Sequence, residues 1–133
     1  ALLDGLSRPP RRVLRNAQAY VAVYDDEQQV RELVPDLAQL ATLAPWDVVV
    51  TAPGERHDFV SRYFWPSKGG TEDPVTGSIH TALAPYWAQV LGRTRLSALQ
   101  VSARTGLLQC RVEAARVHVS GTTVHYLDGH IEI

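Results

Sequence analysis

Glu72-Asp73-Pro74-Val75-Thr76-Gly77-Ser78-Ile79-His80 is the stretch whose residue types best fit chemistry. Two carboxylates end at a proline, a Thr-Gly-Ser turn follows, and apolar residues at helical spacing begin at Ile79. A helix starting near Thr76 to Ser78 leaves its first N–H groups without internal partners. With the helix dipole behind them, they suit a carboxylate or phosphate. Gly77 lets a ligand approach the backbone, and Ser78 adds a hydroxyl. Asp73 is placed upstream to act as general acid or base, or to orient the ligand. Glu72 beside it suggests a carboxylate pair that shares a proton, as acid–base sites do. The same residues also spell an ordinary helix start, with Thr76 or Ser78 as N-cap and Asp73-Pro74 as a turn. Residue types alone leave both readings open.

Other constellations are weaker. Ser78 and His80 are two apart and do not face each other on a helix, which argues against a Ser-His-Asp relay. His57, His80, His118, His125 and His130 are spread over separate elements without metal-ligand spacing, so no metal is expected. His118 and His125 could meet across a hairpin, but exposed strand histidines are the simpler reading. Cys110 lies between Gln109 and Arg111 in a strand, far from any helix start, and reads as a structural thiol. Gly69-Gly70 precede carboxylates rather than Lys-Ser/Thr, and no dinucleotide fingerprint occurs, so no nucleotide cofactor is implied. Tyr63, Phe64, Trp65, Tyr86 and Trp87 could wall a pocket or simply fill a core.

The elements that must position these residues read as α+β. Residues 17–24 suggest a strand. Asp25-Asp26 cap a helix through Val30 and Leu33, and a second short helix carries Leu37, Leu40 and Ala41. Residues 47–52 and 58–65 read as strands, the latter with Phe59, Ser61, Tyr63 and Trp65 on one face. Residues 66–75 form a loop. Ile79, Leu83, Tyr86, Trp87, Val90 and Leu91 lie near one helix face, with a kink or break expected at Pro85 and a stop at Gly92. Strand-like runs then cover 96–103, 107–113, 116–120 and 123–127, with Asp128-Gly129 signalling a hairpin. Residues 1–16 read as a linker or arm. Arg8, Arg11, Arg12 and Arg15 would make it anion-binding, but the lack of interleaved aromatics favours a solvated connector.

Composition adds bounds. The chain has 133 residues, 45% hydrophobic, enough for one core over residues 17–133. Its net charge of −1 gives no field toward nucleic acid, and no apolar run is long enough for a membrane span. A single cysteine excludes an internal disulfide and fits a reducing, cytoplasmic setting. Methionine is absent even at position 1, as expected of a processed chain or a fragment.

Arg62-Tyr63-Phe64, Pro66, Gly69 or Gly70, Glu72 to Ser78 and His80 resemble the signature of the phenazine-biosynthesis (PhzF-like) isomerases. The likeness continues through Pro85-Tyr86-Trp87, Leu91-Gly92, Gln100-Val101-Ser102, Arg104, Gly106, Arg116-Val117 and Gly121. It covers residues 58–133 well and 17–50 loosely. The resemblance implies half of a diaminopimelate-epimerase-like fold: a mixed or antiparallel sheet wrapped around a central helix, paired with a similar half across the active site. Such enzymes use neither cofactor nor metal. In the phenazine member a glutamate of the N-terminal half shuttles a proton on dihydrohydroxyanthranilate. By the same resemblance Asp73 is the catalytic residue, and Thr76, Gly77 and Ser78 hold the carboxylate of a small substrate.

Three departures stand out. Ile79 replaces the usual alanine, Thr105 replaces the first glycine of an Arg-Gly-Gly turn, and the family's Gly-Asn-Pro run and catalytic glutamate have no counterpart in residues 1–57. The chain is therefore expected to be the C-terminal half, inactive without an N-terminal one, with that half or a second copy as partner. A non-catalytic carboxylate-binding or self-assembling module is the alternative; a metal hydrolase using the scattered histidines is a third.

Overall fold

In the computed structural model, which describes residues 1–132, strands are the commonest regular element. Strand β1 (Arg12–Arg15) pairs antiparallel with β2 (Ala19–Val23), and β2 runs parallel to β3 (Asp47–Pro53). Next come β4 (Phe59–Phe64), antiparallel to β3, and β6 (Arg95–Gln100), parallel to β4. Strands β7 (Gly106–Glu113) and β8 (Arg116–Ser120) complete the path as antiparallel neighbours. The two-residue β5 (Glu72–Asp73) pairs beside it on β4. The result is one mixed, 8-stranded sheet.

The sheet has a helical layer on each face because its central strands are apolar at both parities. On one face lies the long helix α4 (His80–Leu91). Its Leu83, Ala84 and Trp87 pack with Val21, Val49, Phe59, Tyr63, Leu96, Ala98 and Leu108. Every long central strand contributes to this cluster, and Leu14, Val117 and Val119 close its rim, so the sheet curls around the helix. The other face, through Val48, Val50, Val60 and Phe64, buries Val30 of α2 (Glu27–Glu32), Leu33 just after it, and Leu40 of α3 (Leu37–Ala41). Asp26 and Asp36 cap these helices by accepting from Gln29 N–H, and from Ala38 and Gln39 N–H. This is the α+β class read from the pattern, and the parity of β4 falls as expected.

Three expectations are corrected. Residues 1–16 are not a detached arm: α1 (Leu2–Gly5) leads into Leu6, which is buried in the core, and β1 is an edge strand of the sheet. Its arginines are what blunts an edge against unwanted pairing, which is why the segment looked like a solvated connector. Helix α4 runs on through Pro85 without the break considered there. Pro85 and Thr81, whose carbonyl loses its helical donor there, both lie on the solvent side, where that carbonyl stays hydrated. In the Arg104-Thr105-Gly106 turn Thr105 is itself left-handed, at φ 57°. Finally, residues 121–132 form no strand or hairpin. Their alternation is strand-like, but they pair with no neighbouring strand, and an isolated hairpin has little stability in water.

Candidate active site

The stretch Asp73–Ser78 runs from β5 toward α4, and three buried side chains fix its path. Gln100, fully buried, accepts from Thr76 N–H at 2.9 Å and donates to the Asp73 carbonyl at 2.8 Å and to Thr76 Oγ1 at 3.1 Å. Ser102 donates to the Pro74 carbonyl at 2.7 Å. The His80 ring meets the Thr76 carbonyl through Nδ1 at 2.7 Å, so Nδ1 bears the proton and donates. Gly106 lies so close that a Cβ there would fall 2.5 Å from Val75 Cβ. The loop is therefore clamped by the strand ends beneath it.

This clamp orients the predicted residues. Thr76 Oγ1 donates to Asp73 Oδ2 at 2.5 Å, and with its amide held by Gln100, Thr76 spends both polar groups inside the protein. Gly77, Ser78 and Ile79 form a turn before α4, in which their carbonyls accept from His80, Thr81 and Ala82 N–H. Their own amides donate to no protein acceptor among the described residues. Gly77 and Ser78 are exposed, and a Cβ added at Gly77 would meet nothing within 4 Å. The amides of the exposed Gly77 and Ser78 are open at a helix start next to a held carboxylate, an arrangement chemically suited to receive an anion.

Glu72 departs from the expected carboxylate pair. Neighbours on a strand point to opposite faces: Asp73 is registered with Tyr63 and Glu72 with Phe64. Glu72 instead forms a two-pronged ion pair with Arg62, Nε to Oε1 at 2.8 Å and Nη2 to Oε2 at 2.9 Å. Arg62 also donates to the Val30 and Leu33 carbonyls, so the pair joins the site loop to α2.

His80 points into the core rather than toward Ser78. It is fully buried and stacks on Phe59 at 5.8 Å between ring centroids. Burial lowers its pKa, against the opposing pull of the Thr76 carbonyl. Cys110 is buried in the α4 cluster, and burial pushes its thiol up to about 11. Of the aromatic candidates, Tyr63 and Trp65 line a cavity of about 290 Å³ with Asp47 and Asp73. Trp87 is core, its indole N–H donating to Thr51 Oγ1 at 2.9 Å, and Tyr86 packs edge-on against it. His118 meets Glu113 at 3.2 Å, and His125 lies outside the sheet.

Residue types did not single out Asp47, Gln18, Lys68, Gln100 or Ser102. Asp47 Oδ2 accepts from the Tyr63 hydroxyl at 2.5 Å and from Lys68 Nζ at 2.7 Å. Gln18 Nε2 donates to Tyr63 Oη at 2.8 Å and to Ser78 Oγ at 2.9 Å. A signal was available for two of them. Gln100 continues the inward parity of Leu96 and Ala98, and Asp47 opens a run of valines, so each is a polar side chain at an apolar position.

Known proteins resemble this chain in sequence and fold. The family model of phenazine biosynthesis-like proteins (PhzC-PhzF) matches residues 6–129. An uncharacterized isomerase of Pseudomonas aeruginosa is 49% identical over 132 residues, covering 99% of this chain and 51% of the relative. A second such isomerase from the same organism is 47% identical over 133 residues. A crystal structure of a PhzF-family phenazine biosynthesis protein from Enterococcus faecalis superposes with a TM-score of 0.87 at 40% identity, covering 91% of this chain and 46% of the other. That of a putative PhzC/PhzF protein from Clostridium difficile gives 0.86 at 40% identity, covering 100% and 51%. The chain thus spans about half the length of these relatives. It belongs to the phenazine biosynthesis-like (PhzC-PhzF) family, among relatives classed as isomerases.

Proposed function

We propose that residues 73–78 form one wall of a cofactor-independent isomerase site that binds a small carboxylate and moves a proton on it. The observation that carries this reading is the pair of open amides at the exposed Gly77 and Ser78 beside the clamped Asp73. The amides and the Ser78 hydroxyl hold the ligand carboxylate. Asp73, fixed by Thr76, hydrogen-bonds to the reacting part of the ligand or returns a proton to it. Thr76 serves as the holder of Asp73 rather than as a ligand contact, because both its polar groups are engaged.

Proton shuttling needs a second group across the ligand. Glu72 is turned to the other face and His80 into the core, so neither supplies it. The partner base comes from outside these residues, and the span of about half the relatives' length supports that view. A titration with benzoate, followed by the amide resonances, tests the binding half of the proposal: Gly77 and Ser78 should move together and saturate. A response elsewhere with these two unmoved rejects it. The chain alone should not exchange ligand carbon-bound hydrogen with deuterated water; exchange abolished by Asp73→Asn would overturn the incomplete-site reading.

A further inference from the structure

We infer that Gln18, Tyr63, Asp47 and Lys68 form a relay that fixes the polarity of the Ser78 hydroxyl, making it a donor toward the ligand; this rests on the carboxylate site proposed above. Asp47 is almost completely buried, and its Oδ2 faces the Lys68 ammonium, so it acts as the acceptor at this end. The Tyr63 proton must then go to Asp47, at 2.5 Å. With that proton spent, the Tyr63 oxygen can only accept, and it takes one N–H of Gln18 at 2.8 Å. The orientation of the Gln18 amide follows: reversed, its oxygen would face a phenol with no proton left to give. The second N–H of Gln18 goes to Ser78 Oγ at 2.9 Å. Ser78 accepts there, so its single proton points elsewhere, and no protein group among the described residues takes it.

The relay reaches the site from four separate segments. Gln18 lies in the β1–β2 turn, Asp47 begins β3, Tyr63 is on β4, and Lys68 sits in the short Pro66–Lys68 turn of the loop that leads to Asp73. Gln18 and Tyr63 are thus positioning residues that act on the ligand through Ser78. Tyr63 is held as a phenol, because burial and the Asp47 carboxylate both raise its pKa. A hydroxyl rotor has about three staggered wells, so fixing one is worth up to about threefold in affinity.

A double-mutant cycle on benzoate affinity provides the test. Ser78→Ala should weaken binding about tenfold, the loss of one hydrogen bond to a charged group. Gln18→Leu should weaken it about threefold in the unaltered chain and have no effect in the Ser78→Ala background. The Gln18 backbone bonds do not involve the replaced side chain, so the variant keeps its turn. A Gln18→Leu effect that persists at full size with Ser78→Ala overturns the proposal. A ligand-free signature accompanies the cycle: the Gln18 side-chain amide resonances should shift in both Tyr63→Phe and Ser78→Ala. If they stay unmoved, the relay is absent. Failure of the unaltered chain to bind benzoate defeats the carboxylate site itself, a result distinct from binding with independent effects at Gln18 and Ser78.

Discussion

Adjacent carboxylates in one short strand do different work in this protein. Glu72 is a structural anion: Arg62 is only 13% exposed and would be left with an unpaired charge without it. Glu72→Ala is expected to cost about 2–3 kcal/mol of stability, whereas Asp73→Asn should leave thermal stability close to that of the parent. Thermal melting of the two variants side by side checks this contrast. His80 gives a pH dependence with a definite sign. Burial lowers its pKa in the folded state from the ordinary 6.5, so the unfolded chain binds the proton more readily. Stability should therefore fall as pH drops below about 6.5, and the fall should flatten in His80→Gln. Denaturant midpoints from pH 7.5 to 5 measure it; a slope unchanged in His80→Gln would remove His80 as its source.

Among elements, what the sequence made legible depended on local signals. Period-two alternation in β4 and the Asp cap of α2 were readable because each is set within a few residues. The pairing of β1 and the split of Glu72 from Asp73 depend on neighbouring strands distant in sequence, and residue types do not encode those directly. Of the candidate site, Asp73, Gly77 and Ser78 were visible as a motif. The clamp of Gln100 and Ser102 and the relay from Asp47 appear only once strand ends converge. The failed hairpin at 123–132 shows the converse: strand propensity without a strand to pair with does not make a strand. The β6–β7 turn offers an element-scale prediction. Thr105 is β-branched yet left-handed at φ 57°, a conformation that costs such residues about 1–2 kcal/mol. Thr105→Gly relieves it but loosens the unfolded chain, for a net gain of about 1 kcal/mol in denaturant unfolding. A loss of stability would mean that the Thr105 side chain contributes more than its backbone costs.

The whole molecule is a sheet curled around α4, with the proposed acid–anion wall at the loop leading into that helix. Several apolar side chains remain in water along 121–132: Val124 is 92% exposed, Tyr126 96% and Ile131 90%. A second surface, such as another copy of the chain, would bury them, and we predict self-association of the 133-residue chain. Light scattering over a concentration series checks it; a monomer at every concentration would argue against docking through this segment.

The claim at the centre of this account is that Gly77 is a glycine for the ligand's sake. A methyl at that position meets no protein atom within 4 Å, so Gly77→Ala should fold and melt like the parent. The same methyl would stand where the carboxylate approaches the open amides. Calorimetric titration of Gly77→Ala with benzoate, alongside its thermal melt, is the most direct measurement. Binding lost at least about tenfold with an unchanged melting temperature is the predicted result; parental affinity in a normally folded Gly77→Ala chain would contradict it.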